Sequence, residues 1–514
     1  MTPVPPVRPP ATRSTGRGRS FRTLRAEWTK FRTVRGWVLA MAGALLATVA
    51  VGLLGTAAPA PGGDSAPYPQ GPGGEAVNDS FYFVHKTLTG DGALTVPLRS
   101  LTGVTDTGAG MTVRGVQPWA KAGIIVKESL AQGAPYAAVM ATGGHGVRMQ
   151  HDYVHDTAGP SGEVSPRWLR LVRSGDLLTG FTSADGSHWT EIGDAKLSGL
   201  ARTVQAGLFA TSPEAKLDTP AGAGFSPAVA VGAFGRPALT GDWSQGAWRG
   251  TQVGGDAGTS GSYTNSMGAG FVQTDGGGFT VTGAGDIAPV VGGPVMGVGF
   301  SVENFLVGTF AGLIVVIAVG TVFITGEYRS GLLRTTMAAT PLRGRVLGAK
   351  AMVVGSVAFA IGLVAAAITV PVGESSARGR GFHVFPVTAA TEVRVVLGTG
   401  LLCATAAVLA LGVGALVRRS GTAVALVVAS IVLPFLLATS GVLPPGASEW
   451  LLRVTPAAGF AVQQTLPRYA QVLSVYEPST GYYPLAPWVG LAVPCGYAVL
   501  AFGLAVVRLR GRDA

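Results

Sequence analysis

Charge is what this sequence has least of. Of 514 residues, 13% are Asp, Glu, Lys or Arg, about half the share in soluble globular proteins. The deficit is concentrated: Asp, Glu, Lys, Arg and His are absent from 36 to 58, 305 to 325, 351 to 372, 395 to 417, 421 to 443 and 487 to 507. Each stretch is long enough to cross a hydrocarbon core of about 30 Å as a helix, which excludes an ordinary cytosolic enzyme. Cysteine is nearly missing too. Cys403 and Cys495 both fall inside these stretches, so no disulfide framework staples any exported part. A nucleotide-binding loop is absent, since G-x-x-x-x-G-K followed by Ser or Thr occurs nowhere. The predicted fold class is therefore an α-helical polytopic membrane protein with six transmembrane helices.

The sparse charge is asymmetric. Lys and Arg number nine in residues 1 to 35, five in 326 to 350, two at Arg418 and Arg419, and three from Arg508 onward. The short loops of the other side hold Arg378, Arg380, Arg394, Arg453 and Arg468. Positive charge collects on the cytoplasmic side, so both termini are expected inside a cell membrane and 59 to 300 outside it. The outside segment is net −5 and the remainder +16. That excess fits anionic inner-leaflet lipid better than nucleic acid, because no interleaving of basic and aromatic residues marks a binding groove. The first apolar run, Val38 to Leu54, followed by Ala58-Pro59-Ala60, also fits a secretory leader; its near-full span length favours a membrane helix.

Composition divides the chain further. Residues 1 to 19, rich in Pro and Arg, read as a disordered arm. From 20 to 35, Phe21, Leu24, Trp28 and Phe31 recur at helical spacing among basic residues, the pattern of an amphipathic helix lying in the inner interface. A Pro- and Gly-rich linker, 59 to 74, leads to short strand-forming runs. Arg167 to Arg173, Leu177 to Ser183 and the turn at Asp185-Gly186 form two consecutive hairpins, with further strand candidates at 111 to 116, 122 to 127, 136 to 141, 146 to 154 and 205 to 210. Together these predict a large all-β sandwich over 75 to 215. Residues 216 to 300 either extend it or form a second β lobe. The loop 326 to 350 joins two spans on the cytoplasmic side, 444 to 486 is an outside loop before the last span, and 508 to 514 is a cytoplasmic tail.

The sandwich segments Trp119 to Lys127, Pro166 to Leu171, Ser183 to Trp189 and Ala206 to Phe209 resemble the concanavalin-A-like lectin/glucanase sandwich. A second resemblance covers 20 to 58 and 300 to 514. Leu24-Arg25-Ala26-Glu27-Trp28-Thr29-Lys30-Phe31-Arg32 before the first span, Gly326 to Thr336 continuing to Lys350 after the second, and Trp450 to Gly459 before the last resemble actinobacterial type-2 ABC transporter permeases. The resemblance implies a permease subunit of an ATP-driven exporter, not itself an enzyme, working with an ABC ATPase subunit and a second, identical or different, permease subunit. ATP and magnesium would be held by that ATPase; no cofactor is expected in this chain. It also implies a coupling helix in 326 to 350 that docks on the ATPase, with Glu327, Arg329, Arg334, Arg343 and Arg345 as contact residues. The large outside domain departs from the minimal family plan.

Candidate sites beyond that loop are few. His151 and His155 stand four apart beside Asp152 and Asp156, but on an alternating strand without cysteine ligands, so solvated histidines are the better reading than zinc. No ionisable pair sits within a span to serve an intramembrane enzyme. Trp119, Tyr136, Trp168 and Trp189 are candidate aromatics for an envelope glycan, although core packing is the commoner role for such residues. The expected cargo is an amphipathic or hydrophobic compound moved outward, since all 133 residues of the six stretches lack charge. The alternative is a membrane-anchored module that binds carbohydrate or envelope without transport.

Overall fold

The computed structural model describes residues 16–55, 68–108, 111–160, 167–219, 222–254, 268–292, 299–330 and 343–510. Most of the expected arm, most of the 59 to 74 linker, the middle of the 326 to 350 loop and the last four residues lie outside this set. The first helix begins at Gly16, inside the segment read as an arm.

The helices are α1 (Gly16–Thr33), α2 (Arg35–Leu54), α3 (Val302–Phe305), α4 (Thr309–Ser330), α5 (Arg343–Gly379), α6 (Ala389–Val417), α7 (Ser420–Thr439), α8 (Pro445–Val454) and α9 (Pro487–Arg510). Six of them, α2, α4, α5, α6, α7 and α9, are long and apolar enough to cross a membrane. Their sequences explain why they are helices: long runs rich in Ala, Leu and Val with small residues spaced for close packing, broken only by Pro371, Pro434 and Pro494 inside α5, α7 and α9. In α2 the buried residues Met41, Ala44, Thr48 and Gly52 fall on one stripe. There is no room there for more bulk. A methyl group on Gly52 would meet the Phe305 carbonyl, and one on Gly312 would meet the Thr48 hydroxyl. α4 and α6 are the most enclosed of the six. Leu313, Val316, Ile317, Leu402, Ala406 and Ala410 form the centre of their shared core.

Residues 77 to 289 build a mostly β region. Its longest strand, Phe81–Gly108, has 28 residues and passes through both layers of the fold. The first part pairs with Thr203–Thr211, which continues to Lys121–Lys127, Tyr136–Thr142, Val147–His151 and His155–Ala158. The middle pairs with Arg167–Ser174, followed by Leu177–Ser183 and Thr190–Lys196, which are the two expected hairpins. Residues after 215 join the same sheet: Ala228–Phe234, Ala238–Trp243 and Arg249–Val253 all pair with Phe81–Gly108. Within 216 to 300, these strands are hydrogen-bonded into the same sheet, while Ala215–Thr219 and Gly222–Ser226 pair only with each other among the described residues.

Apolar side chains between the layers, among them Val84, Leu94, Ile124, Val139, Leu169 and Leu208, form one core. A second core lies on the opposite face of the Tyr136–Thr142 layer and holds Phe81, Phe83, Tyr136, Met140, Tyr153 and Phe209. Two short strands, Val77–Asp79 and Ile287–Pro289, pair with each other as a ribbon beside it. Lys121 and Lys127, both fully buried, fasten this ribbon to the sheet. Lys121 Nζ lies 2.5 Å from Asp286 Oδ1 and donates to the Ile287 carbonyl at 2.8 Å; Lys127 Nζ lies 2.7 Å from Asp79 Oδ2. Burial lowers the Lys127 pKa, opposed by Asp79.

The segment expected as an outside loop, 444 to 486, carries folded elements. α8 is followed by a 3-10 helix, Pro456–Gln463, whose eight residues are all buried. It packs against α6, α7 and α9. Small residues make this possible: Gly459 sits against Leu402 and Pro494 too closely for a side chain. The following strap meets the β region, where Gln471 Nε2 donates to the Val154 carbonyl at 3.2 Å and Val472 clusters with Ala288 and Val291.

Candidate functional site

The densest buried charge in the helical part lies at the end of the bundle away from the β region, where α1, α4 and α5 meet. Lys350, on the first turns of α5, is fully buried. Its ammonium donates to Glu27 Oε2 of α1 at 2.7 Å and to Glu327 Oε1 of α4 at 2.7 Å. Lys30, one turn after Glu27, reaches the same two carboxylates at 2.9 and 3.2 Å. Each lysine therefore touches both glutamates, and the four formal charges cancel. Aromatic rings close the site. Lys350 Nζ stands 4.5 Å from the Phe323 ring centroid, a cation–π distance, while Phe31, Trp37 and Phe323 pack edge and face around it. Burial alone would lower the Lys30 pKa; the two glutamates outweigh it and raise it.

The position of this square matters more than its charge. Segment 331–342, the middle of the expected coupling loop, leaves α4 after Ser330 and returns at Arg343. Glu327 and Lys350 stand on its two flanks. Their ion pair ties those flanks to each other and, through Glu27, to α1.

The expected coupling residues divide accordingly. Glu327 does not project toward a partner. It is 8% exposed, and the cause is plain: its carboxylate faces the buried Lys350 ammonium of α5 at 2.7 Å and Lys30 of α1 at 3.2 Å, which hold it inward and offset its desolvation. Arg329 and Arg345 are exposed. Arg334 and the Arg343 side chain lie outside the described residues. The four residues expected on the interfacial helix all lie on α1. Phe21, Leu24, Trp28 and Phe31 do not share one role: Phe31 is buried and Leu24 packs beside it, whereas Phe21 and Trp28 are exposed.

At the opposite end of the bundle, a polar cluster missing from the sequence reading fixes the 3-10 segment. Gln463 Nε2 donates to Thr309 Oγ1 of α4 and Thr399 Oγ1 of α6, both at 3.0 Å. The buried Glu303 carboxylate accepts from the Thr465 and Leu466 amides at 3.0 and 3.2 Å, and from the Thr465 hydroxyl. Burial raises the Glu303 pKa against these bonds. A Gln four residues after Gly459 in an otherwise apolar run was the available signal.

In the β region the four candidate aromatics do not form one patch. Tyr136 is fully buried and belongs to the second core, which corrects its assignment as a ligand contact. Trp119 is 5% exposed, stacked on His145 at 3.9 Å. Trp168 and Trp189 are half-buried. Trp168 lies against the Gly186 turn, and Trp189 lies 5.8 Å from the Arg170 guanidinium. His151 and His155 stack with centroids 4.3 Å apart. Among the described residues no group of three or more His, Cys, Asp or Glu is placed to hold a metal.

No protein family description matches this sequence, and no curated protein matches it. Among solved structures, it is similar to a functionally unknown protein from Saccharomyces cerevisiae, with 16% identity over 36% of this chain and 84% of that one, at a TM-score of 0.18. It is similar also to a GH43 protein from Bacillus licheniformis, with 16% identity over 30% of this chain, 28% of that chain, and a TM-score of 0.21. A third is SCP-B, a member of the Eqolisin family of peptidases, with 10% identity over 41% of this chain and 100% of that one, at a TM-score of 0.23. Likeness at these scores assigns neither fold nor function.

Proposed function

We propose that this chain is the membrane-spanning permease subunit of an ATP-driven exporter, with both termini in the cytoplasm and the β region outside. A separate ABC ATPase subunit supplies hydrolysis, a second permease subunit completes the pathway, and the cargo is an amphipathic or hydrophobic compound. The observation that carries this reading is the ionic square at the flanks of segment 331–342. A loop that receives a push needs a stiff base, and a base that joins three helices through buried charge provides one. The six apolar helices support the membrane setting. The lack of ionisable groups in the expected spans supports an apolar cargo, because an ion path would need polar groups at depth.

A membrane-anchored binding module remains the second reading, favoured only by the half-buried Trp168 and Trp189. It leaves the ionic square without a purpose, since an anchor needs one span.

The test is purification of the full chain from its native membrane with any associated ATPase. Arg329→Glu together with Arg345→Glu, both exposed, is expected to weaken that association by about 1 to 3 kcal/mol if the pairs are partly desolvated. Absence of an ATPase from the wild-type preparation, or equal association by the variant, would reject the role given to this loop.

A further inference from the structure

We propose that α1 carries a binding site for the headgroups of anionic phospholipids, formed by Arg25 and Arg32 between Phe21 and Trp28. The inference rests on the reading that α1 lies at the inner membrane interface.

The ionic square sets the rotation of α1. Glu27 is 1% exposed and Phe31 3% exposed, both turned toward α4 and α5, and Leu24 packs on the same side. One stripe along the face left over is unmixed. Phe21, Arg25, Trp28 and Arg32 are all exposed, and their spacings of four, three and four place them within an arc of about 60° on a helix of 3.6 residues per turn. Glu27 is the one acidic residue of α1, and it is committed to Lys350. That stripe is therefore basic and aromatic, flanked on the same helix by exposed Arg22, Ala26, Thr29 and Thr33.

That alternation selects among occupants. An acidic protein surface would satisfy the arginines but leave Phe21, 68% exposed, and Trp28, 45% exposed, in water or against charge. A phospholipid interface takes both: aromatic rings rest at headgroup level, and a guanidinium grips phosphate through paired N–H donors. The apolar helix α2 starts two residues beyond α1, which keeps the stripe beside the hydrocarbon boundary. Because α1 is tied to both flanks of segment 331–342, a headgroup held on this stripe also steadies the base of that loop.

The experiment uses the full purified chain in mixed bilayers and reads motional restriction of spin-labelled phosphatidylglycerol and phosphatidylcholine. The wild type is expected to retain the anionic lipid preferentially, by about fivefold for each arginine engaged. R25Q/R32Q should abolish the preference with an unchanged thermal unfolding midpoint, and R25K/R32K should keep part of it, since charge remains but the planar fork is lost. Millimolar inorganic phosphate should not compete. Equal retention of both lipids by the wild type, full preference in R25Q/R32Q, or displacement by free phosphate would overturn the lipid site. None of these readouts needs the ATPase, so failure here is separable from failure of the exporter reading, and labelling of termini and loops reports independently on the membrane setting.

Discussion

Lys350 shows how one residue can hold three elements and why its role was hidden. Its partners Glu27 and Glu327 lie 323 and 23 residues away. Local spacing carries no trace of the first pairing. What the sequence displayed was charge beside an apolar run, which the positive-inside tendency already explains. The structure gives that charge a cost and a compensation: a fully desolvated ammonium is tolerated because two carboxylates and a ring surround it. Lys350→Met should leave Glu27 and Glu327 facing each other with half-exposed Lys30 as the remaining cation, and should destabilise the folded protein by about 3 to 5 kcal/mol. Adding Glu27→Gln and Glu327→Gln should restore most of that loss, because the uncompensated charges are then gone. Thermal unfolding in detergent reads both. A triple variant no more stable than the single one would mean that the lysine acts through its packing and not its charge.

At the scale of elements, what could be read was whatever repeats locally. The six apolar helices follow from runs without charge. The hairpins of Arg167–Ser174, Leu177–Ser183 and Thr190–Lys196 follow from alternation and from the turns at Gly175 and Gly186, both at positive φ, where glycine is favoured. The strand Phe81–Gly108 was not legible. Gly90-Asp91-Gly92 and Pro97 look like breaks, yet the chain continues there because Gly92 approaches the Thr240 carbonyl and the strand crosses from one layer to the other. The buried 3-10 segment escaped for the opposite reason: Pro456 and Gly459 signal a loop, and tertiary packing, not local preference, buries it. The same logic of close approach predicts an asymmetry within α2. Gly43 has open space where a methyl group would stand, whereas Gly52 faces the Phe305 carbonyl and Thr369. Gly43→Ala should leave the unfolding temperature unchanged or slightly raised, and Gly52→Ala should cost about 1 to 3 kcal/mol through overpacking. Equal effects would argue that α2 does not pack on α3 and α5 as described.

The whole molecule joins two bodies at one end of the helical bundle. The ribbon of Val77–Asp79 and Ile287–Pro289 brings the beginning and the end of the β region together, toward α2 on one side and α3 on the other. The strap after Gln463 bonds to the β turn at Tyr153 and Val154. The ionic square lies at the far end of the bundle. If the bundle crosses a membrane, this arrangement requires the β region on one side and the helix ends at Ser330 and Arg343 on the other, and in the proposed orientation the latter side is the cytoplasm. Single cysteines test it in a background where Cys403 and Cys495 are replaced by alanine. Ala184 is exposed on a β turn and Ser330 is exposed at the end of α4; neither lies at positive φ, so cysteine fits both positions. Ala184→Cys should react with a membrane-impermeant maleimide on intact cells. Ser330→Cys should react after the membrane is permeabilised and not before. The two sites report on opposite ends of one helical bundle, so labelling of both on intact cells, or of neither, would contradict the six-span arrangement, while the reverse pattern would keep the spans and invert the chain in the membrane.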